Sequence, residues 1–372
     1  MNQKLFTVPA KRIYTLLPGL LSAVALALFS IWLSNFVGVR VLDMEKSPLS
    51  AVMIAILLGL IISNLVRIPR SLMPGLTFAV KIVLRLGIIL LGIRLSVVEI
   101  VRLGSVGVPI VAGCIIGALF FTVALSRLLG VPERLGVLIA VGTSICGVSA
   151  ILAAGPAIDS KEEEVAYAVS IITVFGIAAT LIYPYLAHAI FNGEAIRVGI
   201  FLGTAIHDTS QVTGAGLVYT QVFHEPSALN SAVVTKLVRN IFMAVVIPLM
   251  AFLHNRRKES GKRGEKPSHA GFFSLFPYFI LGFVLLGVVR SVGDWTLETS
   301  SSAFGFFGED QWVTCYNFIK QAAVLLLVVA LAGLGLKTRF KELKQLGIKP
   351  FLVGFASAVI VGVISVLLVT LL

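Results

Sequence analysis

The sequence predicts an all-α polytopic membrane protein of about eleven transmembrane helices, with inverted-topology repeats and two interrupted helices. The observations that predict it are the composition, a regular succession of apolar runs and two internal repeats. Of 372 residues, 58% are hydrophobic and 13% are charged, and the mean hydropathy is +1.00. A soluble chain carries roughly twice as many charged residues. The three cysteines have neither a disulfide-framework nor a metal-site spacing.

Each apolar run is close to the roughly 20 residues that a helix needs to cross a bilayer. We expect residues 1–372 to form a single transmembrane domain. The predicted spans are Tyr14–Phe36, Leu49–Val66, Gly75–Leu95, Val106–Leu128, Leu135–Ala154, Val165–Phe191, Ala195–Val218, Ser227–Leu253, Phe272–Val289, Tyr316–Leu336 and Pro350–Leu372.

The net charge of +12 reports topology rather than nucleic-acid binding, because the basic residues lie in short loops between apolar runs. Basic residues fall in alternate loops, and the longest basic segment is the predicted loop 255–270 between the eighth and ninth spans. The opposite loops are acidic, for example at Glu162–Glu164. The positive-inside rule therefore predicts a cytoplasmic N-terminus and places the C-terminus outside.

One Gly-, Ser- and Thr-rich stretch occurs twice, as Gly142–Gly155 in the fifth span and Gly203–Gly216 in the seventh. Freed backbone groups at membrane depth need polar partners, so such interruptions indicate a transporter's binding site. Close helix packing also explains glycines, but it does not explain His207 and Asp208 at membrane depth. Whether these two segments cross fully or re-enter is left open.

A second repeat relates Gly92–Gly104, between the third and fourth spans, to Gly335–Gly347, between the tenth and eleventh. Glu99 and Glu342 occupy matching places in the two copies. The span count puts the copies on opposite faces of the membrane. An inverted-topology repeat of this kind is typical of alternating-access carriers.

The intramembrane charges predict an anionic cargo. Lys81 and Arg85 lie one turn apart on the third span, and Lys236 and Arg239 lie on the eighth. Asp208 is the only acid deep in a span, and it is also a candidate salt-bridge partner of Arg85 or Arg239. Charges at this depth are usually paired, solvated or functional, although lysines also snorkel. Four bases against one acid leave a positive interior.

These motifs resemble the sulfate exporter (YeiH-like) family of bacterial inner-membrane transporters over nearly the whole chain. The matching residues include Gly142–Gly147, Lys161–Tyr167, Ile206–His207 with Gln211, and Val234–Arg239. The chain departs from the family pattern at Asp208–Ser210. The resemblance implies an anion exporter with a fold similar to bile-acid/arsenite/riboflavin-type transporters, in which a core domain carries crossed, broken helices beside a panel domain.

For the anion or ion site, half-helix N-termini and neutral donors favour an oxyanion, and arginine adds charge. The predicted substrate- or ion-binding residues are Thr143, Ser144, Ser149, His207, Asp208, Ser210, Gln211, Arg239 and Arg85. His207 and Asp208 could carry a proton, or Asp208 could hold sodium. No catalytic residue, metal or cofactor is predicted.

Two other classes compete with a carrier. A gated anion channel fits the positive interior equally well. An intramembrane serine hydrolase would use Ser149 with His207, but Gly147-Val148-Ser149-Ala150 lacks the second glycine of a nucleophile elbow. The expected partners are a small anion and the bilayer, with no nucleic acid, and a homodimer is compatible with the sequence.

Overall fold

The computed structural model describes residues 10–41, 50–259, 278–339 and 347–372, and in these ranges every regular element is a helix. The α-helices are α1 (Ala10–Asn35), α2 (Ala51–Leu65), α3 (Met73–Phe78), α4 (Leu84–Leu91), α5 (Val97–Leu128), α6 (Glu133–Ser144), α7 (Val148–Ala157), α8 (Glu162–Ile190), α9 (Ala195–Ala205), α10 (Thr209–Phe223), α11 (Pro226–Ile241), α12 (Met243–Glu259), α13 (Phe279–Ser300), α14 (Glu309–Lys337) and α15 (Ile348–Thr370). A π-helical turn joins α3 to α4, and a 3₁₀ turn, Gly92–Arg94, follows α4.

Seven helical segments among the described residues are long and apolar enough to cross a membrane. They are Tyr14–Asn35, Arg70–Arg94, Val97–Leu128, Glu163–Ile190, Phe279–Ser300, Glu309–Lys337 and Ile348–Thr370. The chain is therefore a multi-pass helical membrane protein. The predicted spans five, seven and eight each contain two shorter helices, and span two contains the 15-residue α2. The count of eleven crossings stays a prediction.

The predicted boundaries differ most from the observed helices at α5 and α13. Helix α5 begins at Val97, so Glu99 lies in the first turn of a helix rather than in a loop. Neither proline nor glycine interrupts residues 97–103, and an acidic side chain stabilises a helix N-terminus. The ninth predicted span, Phe272–Val289, corresponds to α13, which runs on to Ser300. Glu342 and residues 260–270 of the predicted basic loop lie outside the described residues.

The described residues form two compact units that alternate along the chain. The first unit lies within Met1–Val97, Gln221–Phe223 and Leu281–Arg339. Its helices approach closely through glycines: a Cβ at Gly19 would lie 2.0 Å from the carbonyl oxygen of Leu72, and one at Gly59 would lie 2.9 Å from the backbone of Gly335. Small residues at such contacts allow the backbone-to-backbone packing that associates helices in lipid.

The second unit lies within Val98–Thr220, His224–Ile280 and Phe340–Leu372. An apolar cluster in this unit joins α5, α6, α7, α8 and α12, for example through Leu138 and Ile172. Helix α9 packs tightly on α11, because a Cβ at Gly199 would lie 2.5 Å from the carbonyl oxygen of Ala228, and one at Gly203 would lie 2.7 Å from the Cβ of Thr235. This contact places the polar end of α11 beside the end of α9.

Candidate functional site at the two helix breaks

The first break separates α6, which ends at Ser144, from α7, which begins at Val148. Gly147 at this break has φ +66° and ψ −121°, a conformation that is essentially restricted to glycine. It is the residue before α7 and has no side chain to cap that helix. The first turn of α7 therefore begins without the side-chain acceptor that usually satisfies its N–H donors.

The second break separates α9, which ends at Ala205, from α10, which begins at Thr209. Here Asp208 is the N-cap, and its Oδ1 accepts from the backbone N–H of Ser210 at 2.9 Å and from the Ser210 hydroxyl at 2.5 Å. The side-chain oxygen of Gln211 accepts from the N–H of Asp208 at 3.2 Å, which completes a capping box. The amide nitrogen of Gln211 also donates to the carbonyl of Thr173 on α8 at 3.1 Å.

The two breaks lie against each other in the second unit. A Cβ on Gly147 would be 3.2 Å from the Cβ of Asp208. The ammonium group of Lys236, from α11, donates to the carbonyl oxygens of Ile145 and Ile206, at 2.9 Å each, and to that of His207. One fully buried lysine thus joins both breaks.

Arg239, one turn further along α11, is also fully buried and binds the ends of both half-helices. Its Nε donates to the carbonyl of Ser144 at 2.7 Å, and its Nη2 donates to that of Thr143. Its Nη1 donates to the carbonyls of Thr204 and Ile206, at 2.7 and 3.1 Å. No ion pair between Arg239 and Asp208 occurs among the described residues.

The two buried cations are therefore compensated by backbone oxygens. The last carbonyls of α6 and α9 carry the partial negative charge of their helix dipoles, and cations are favourable there. A charge at the centre of a bilayer otherwise costs roughly 2.5–3.5 kcal/mol on insertion scales. The sequence predicts that the planar guanidinium of Arg239 binds an oxyanion. In this structure the guanidinium donates instead to the carbonyls of Thr143, Ser144, Thr204 and Ile206.

The remaining predicted site residues are in different surroundings. The Thr143 and Ser144 hydroxyls are buried and donate to the carbonyls of Ile139 and Ala140, at 2.7 Å each. Ser149, in the first turn of α7, is exposed. Arg85 is exposed and belongs to the first unit, so it is not part of this cluster.

His207 is fully buried, and neither ring nitrogen has a hydrogen-bond partner among the described residues. An imidazole always has at least one acceptor nitrogen when neutral and two donors when charged. An unpaired buried polar group is unfavourable by about 1–3 kcal/mol. The His207 ring is therefore a polar group at the breaks that has no hydrogen-bond partner in the described part of the chain.

Three residues of this region are absent from the predicted site. Snorkelling is an alternative interpretation of Lys236 in the sequence, yet its position three residues before Arg239 puts both side chains on one face of α11. Asn240 donates to the hydroxyl of Thr209 at 3.1 Å, and its side-chain oxygen is buried without a partner within the described ranges. Gly176 makes room for Gln211, since a Cβ there would lie 1.9 Å from Oε1. Only the Lys236 signal is readable from the sequence.

The described residues contain no group of three or more His, Cys, Asp and Glu side chains suited to a metal ion. The arrangement instead combines two cations, one carboxylate and two helix N-termini. One N-terminus is capped by Asp208 and the other has no side-chain cap. Chemically, the uncapped end of α7 is the one able to accept an anion.

Relatives of this chain are bacterial membrane proteins. The chain is 31% identical over 315 residues to a UPF0324 membrane protein of Fusobacterium nucleatum, which covers 84% of this chain and 88% of that protein. It is 30% identical over 357 residues to one of Clostridium tetani, with 94% and 95% covered, and 33% identical over 321 residues to one of Corynebacterium glutamicum, with 86% and 84% covered. No solved structure matches the chain significantly. The family model described as conserved hypothetical protein 698 matches residues 18–354, and this chain therefore belongs to that family of membrane proteins.

Proposed function

We propose that the protein is a secondary active transporter that exports a small anion across the bacterial inner membrane by alternating access. Its N-terminus is cytoplasmic in this proposal, and the cargo is sulfate or a related oxyanion or sulfonate. Membership of a membrane-protein family and the helical, multi-pass fold support a transport role.

One observation carries the proposal: α7 begins without a side-chain cap, at a break whose backbone carbonyls accept hydrogen bonds from two buried cations. The N–H groups of the first turn of α7 and the exposed hydroxyl of Ser149 provide donors for an oxyanion. Lys236 and Arg239 supply positive potential without touching the anion. Neutral hydroxyl and amide donors favour oxyanions over halides because they match several acceptor oxygens at once.

Asp208 and His207 are the groups proposed to couple transport to a proton or to sodium. Asp208 is half-buried beside Gly147, and its capping bonds use one carboxylate oxygen, Oδ1. The second oxygen, Oδ2, is the one proposed to take a cation. His207 adds a titratable ring with no other hydrogen-bonding role in the described structure.

We further propose that the protein is not an enzyme. A serine hydrolase would need the Ser149 hydroxyl within hydrogen-bond reach of the His207 ring. Neither ring nitrogen has such a contact among the described residues. The sequence around Ser149 also lacks the second glycine of a nucleophile elbow.

The test is counterflow of labelled sulfate in proteoliposomes loaded with unlabelled anions from a panel of oxyanions, sulfonates and chloride. A carrier exchanges label transiently above equilibrium, whereas a gated channel only dissipates its gradient. Ser149→Ala should weaken the apparent affinity about tenfold, since hydrogen bonds to charged groups contribute ~1.5–3 kcal/mol. The matched control is Ser105→Ala, an exposed serine of the same unit. Absence of counterflow with every anion would exclude an anion carrier.

A further inference from the structure

A second group of positive charges lies in the first unit. It is formed by Arg94 in the 3₁₀ turn after α4, Arg290 on α13 and Lys320 on α14. Arg290 and Lys320 both lie over the ring of Tyr316, and Ile93, the neighbour of Arg94, belongs to the apolar cluster that Tyr316 and Ile319 pack against. The three side chains are half-buried. We call these residues the basic cluster.

Asp294 is the acid of this region, and each of its carboxylate oxygens accepts one hydrogen bond. Oδ2 accepts from Nε of Arg290 at 2.5 Å, and Oδ1 accepts from the indole N–H of Trp312 at 2.8 Å. Trp312 is itself buried, so it fixes the carboxylate in place. Neither oxygen accepts a hydrogen bond from Arg94 or Lys320 in the described structure.

The remaining donors of the basic cluster lack acceptors. Nη1 of Arg290 is buried without a hydrogen-bond partner in the described part of the chain. Its guanidinium carbon lies 3.7 Å from the centroid of the Tyr316 ring, and Nζ of Lys320 lies 4.3 Å from the same centroid. Arg94 and Lys320 form no hydrogen bond or ion pair with any described residue.

Exposed acids nearby in the sequence do not correct the imbalance. Glu298, Glu309 and Asp310 are all exposed, and none is paired with a cluster cation among the described residues. Among the described residues, Asp294 is thus the carboxylate that pairs with a cluster cation, and it pairs with Arg290. Leaving a buried charged donor unpaired is more costly than leaving a neutral one.

An anion with several oxygen acceptors would satisfy the buried Nη1 of Arg290 together with the donors of Arg94 and Lys320. Guanidinium groups bind phosphate, sulfate and carboxylate through paired N–H donors, and an ammonium adds a point charge. We propose that the basic cluster binds a phosphate-type oxyanion, supplied either as a free inorganic anion or as the headgroup of an anionic lipid. This site is separate from the anion site at the helix breaks and does not depend on transport.

Trp312 provides a local reporter, because its indole N–H is hydrogen-bonded to Asp294, the carboxylate that pairs with Arg290 of the basic cluster. The other two tryptophans, Trp32 and Trp295, are more than half exposed, and replacing both by Phe leaves Trp312 as the single fluorophore. Delipidated protein in maltoside micelles is titrated with sodium sulfate and with sodium phosphate. A second arm adds phosphatidylglycerol, with phosphatidylcholine as its uncharged-headgroup control.

We expect a saturable change in Trp312 emission in one of these arms. Arg94→Gln and Lys320→Gln should each weaken that response roughly tenfold or more. Both variants should fold normally, since neither side chain makes a hydrogen bond in the described structure. Arg102→Gln, an exposed arginine on α5, is the charge-matched control and should leave the titration unchanged.

The two sources give different results. Saturation by sulfate or phosphate without lipid assigns the site to a free oxyanion, whereas saturation only by phosphatidylglycerol assigns it to a lipid headgroup. An emission response that is absent in every arm, or equal in wild type, Arg94→Gln and Lys320→Gln, overturns the proposal. The readout is equilibrium binding at Trp312, so a failed counterflow assay leaves this result unaffected.

Discussion

Each of the three ammonium protons of Lys236 has a carbonyl acceptor at one of the two helix breaks. This single side chain lies between the two breaks and donates to both of them. Arg239 also binds both half-helices, through the carbonyls of Ser144 and Thr204, and it shares the carbonyl of Ile206 with Lys236. At the scale of single residues, the broken helices depend on two cations from a third helix.

Replacing Lys236 by Met should lower the free energy of unfolding by at least ~2 kcal/mol, because buried carbonyl oxygens lose their donors. The measurement is thermal unfolding of the purified protein in detergent. Lys81→Met is the matched control, since Lys81 is exposed on the first unit and should unfold within about 0.5 kcal/mol of wild type. Equal stability of the two variants would contradict the bridging role.

Asp208 combines a structural and a proposed functional role that two substitutions separate. Asparagine is as good an N-cap as aspartate, whereas alanine loses about 1 kcal/mol. We therefore expect Asp208→Asn to unfold like wild type, to lose gradient-driven accumulation and to retain anion exchange. Asp208→Ala should lose stability in addition.

Proteoliposome uptake with and without an imposed proton or sodium gradient measures the coupling of these two variants. If Asp208→Asn still accumulates the anion against its gradient, the coupling group is another residue, and His207 becomes the first candidate.

Helices α7 and α10 both begin after a helix break, but the N–H donors of their first turns are capped differently. Asp208 and Gln211 close a capping box on α10, while Gly147 gives α7 no side chain. The asymmetry follows from packing as well as from cap preference. Gly147 has positive φ, and its neighbour across the break is Asp208 at a distance that a methyl group would already crowd.

Gly147→Ala should destabilise the protein by about 1–3 kcal/mol from backbone strain, with a further loss from the contact with Asp208. Gly305→Ala is the matched control: Gly305 also has positive φ, at +81°, but nothing lies within 4 Å of its added Cβ. Chemical or thermal unfolding of both variants measures the difference. A smaller effect at Gly147 than at Gly305 would mean that the break relaxes to accept a side chain.

At the scale of the whole molecule, the chain alternates between two compact units instead of completing one before the other. It leaves the first unit after Val97, re-enters it at Gln221–Phe223 and again at Leu281, and ends in the second unit with α15. Tertiary contacts between segments distant in the sequence therefore build each unit. This interleaving is compatible with an internal repeat.

The inverted repeat predicts that cysteines placed at Glu99 and Glu342 react from opposite faces of the membrane. The experiment uses a background lacking Cys114, Cys146 and Cys315, with an impermeant maleimide applied to intact and to permeabilised cells. Labelling of both positions from one face would exclude the inverted arrangement. A cysteine at exposed Arg102, in the same helix as Glu99, should label from the same side as position 99 and serves as the control.

The sequence by itself determined the class of the protein and two of the places where its helices break. Composition and the succession of apolar runs specify membrane helices, because both reflect transfer of each segment into lipid. Gly, Ser and Thr at 142–155 and 203–216 mark the breaks, since these residues weaken a continuous helix locally. Asp208 at the start of α10 is likewise a local signal, with Gln211 three residues later.

The tertiary structure decided what the buried charges bind. Arg239 is separated from its acceptors by 33 to 96 residues, and Lys236 by 29 to 91. Spacing within one helix indicates that two cations share a face but not whether carbonyls, a carboxylate or an anion lies opposite. For the same reason the basic cluster could not be predicted from the sequence, because its residues come from three separate segments. Hydrogen-bond partners at such distances are fixed only when the helices pack, because packing determines which oxygens each buried donor can reach.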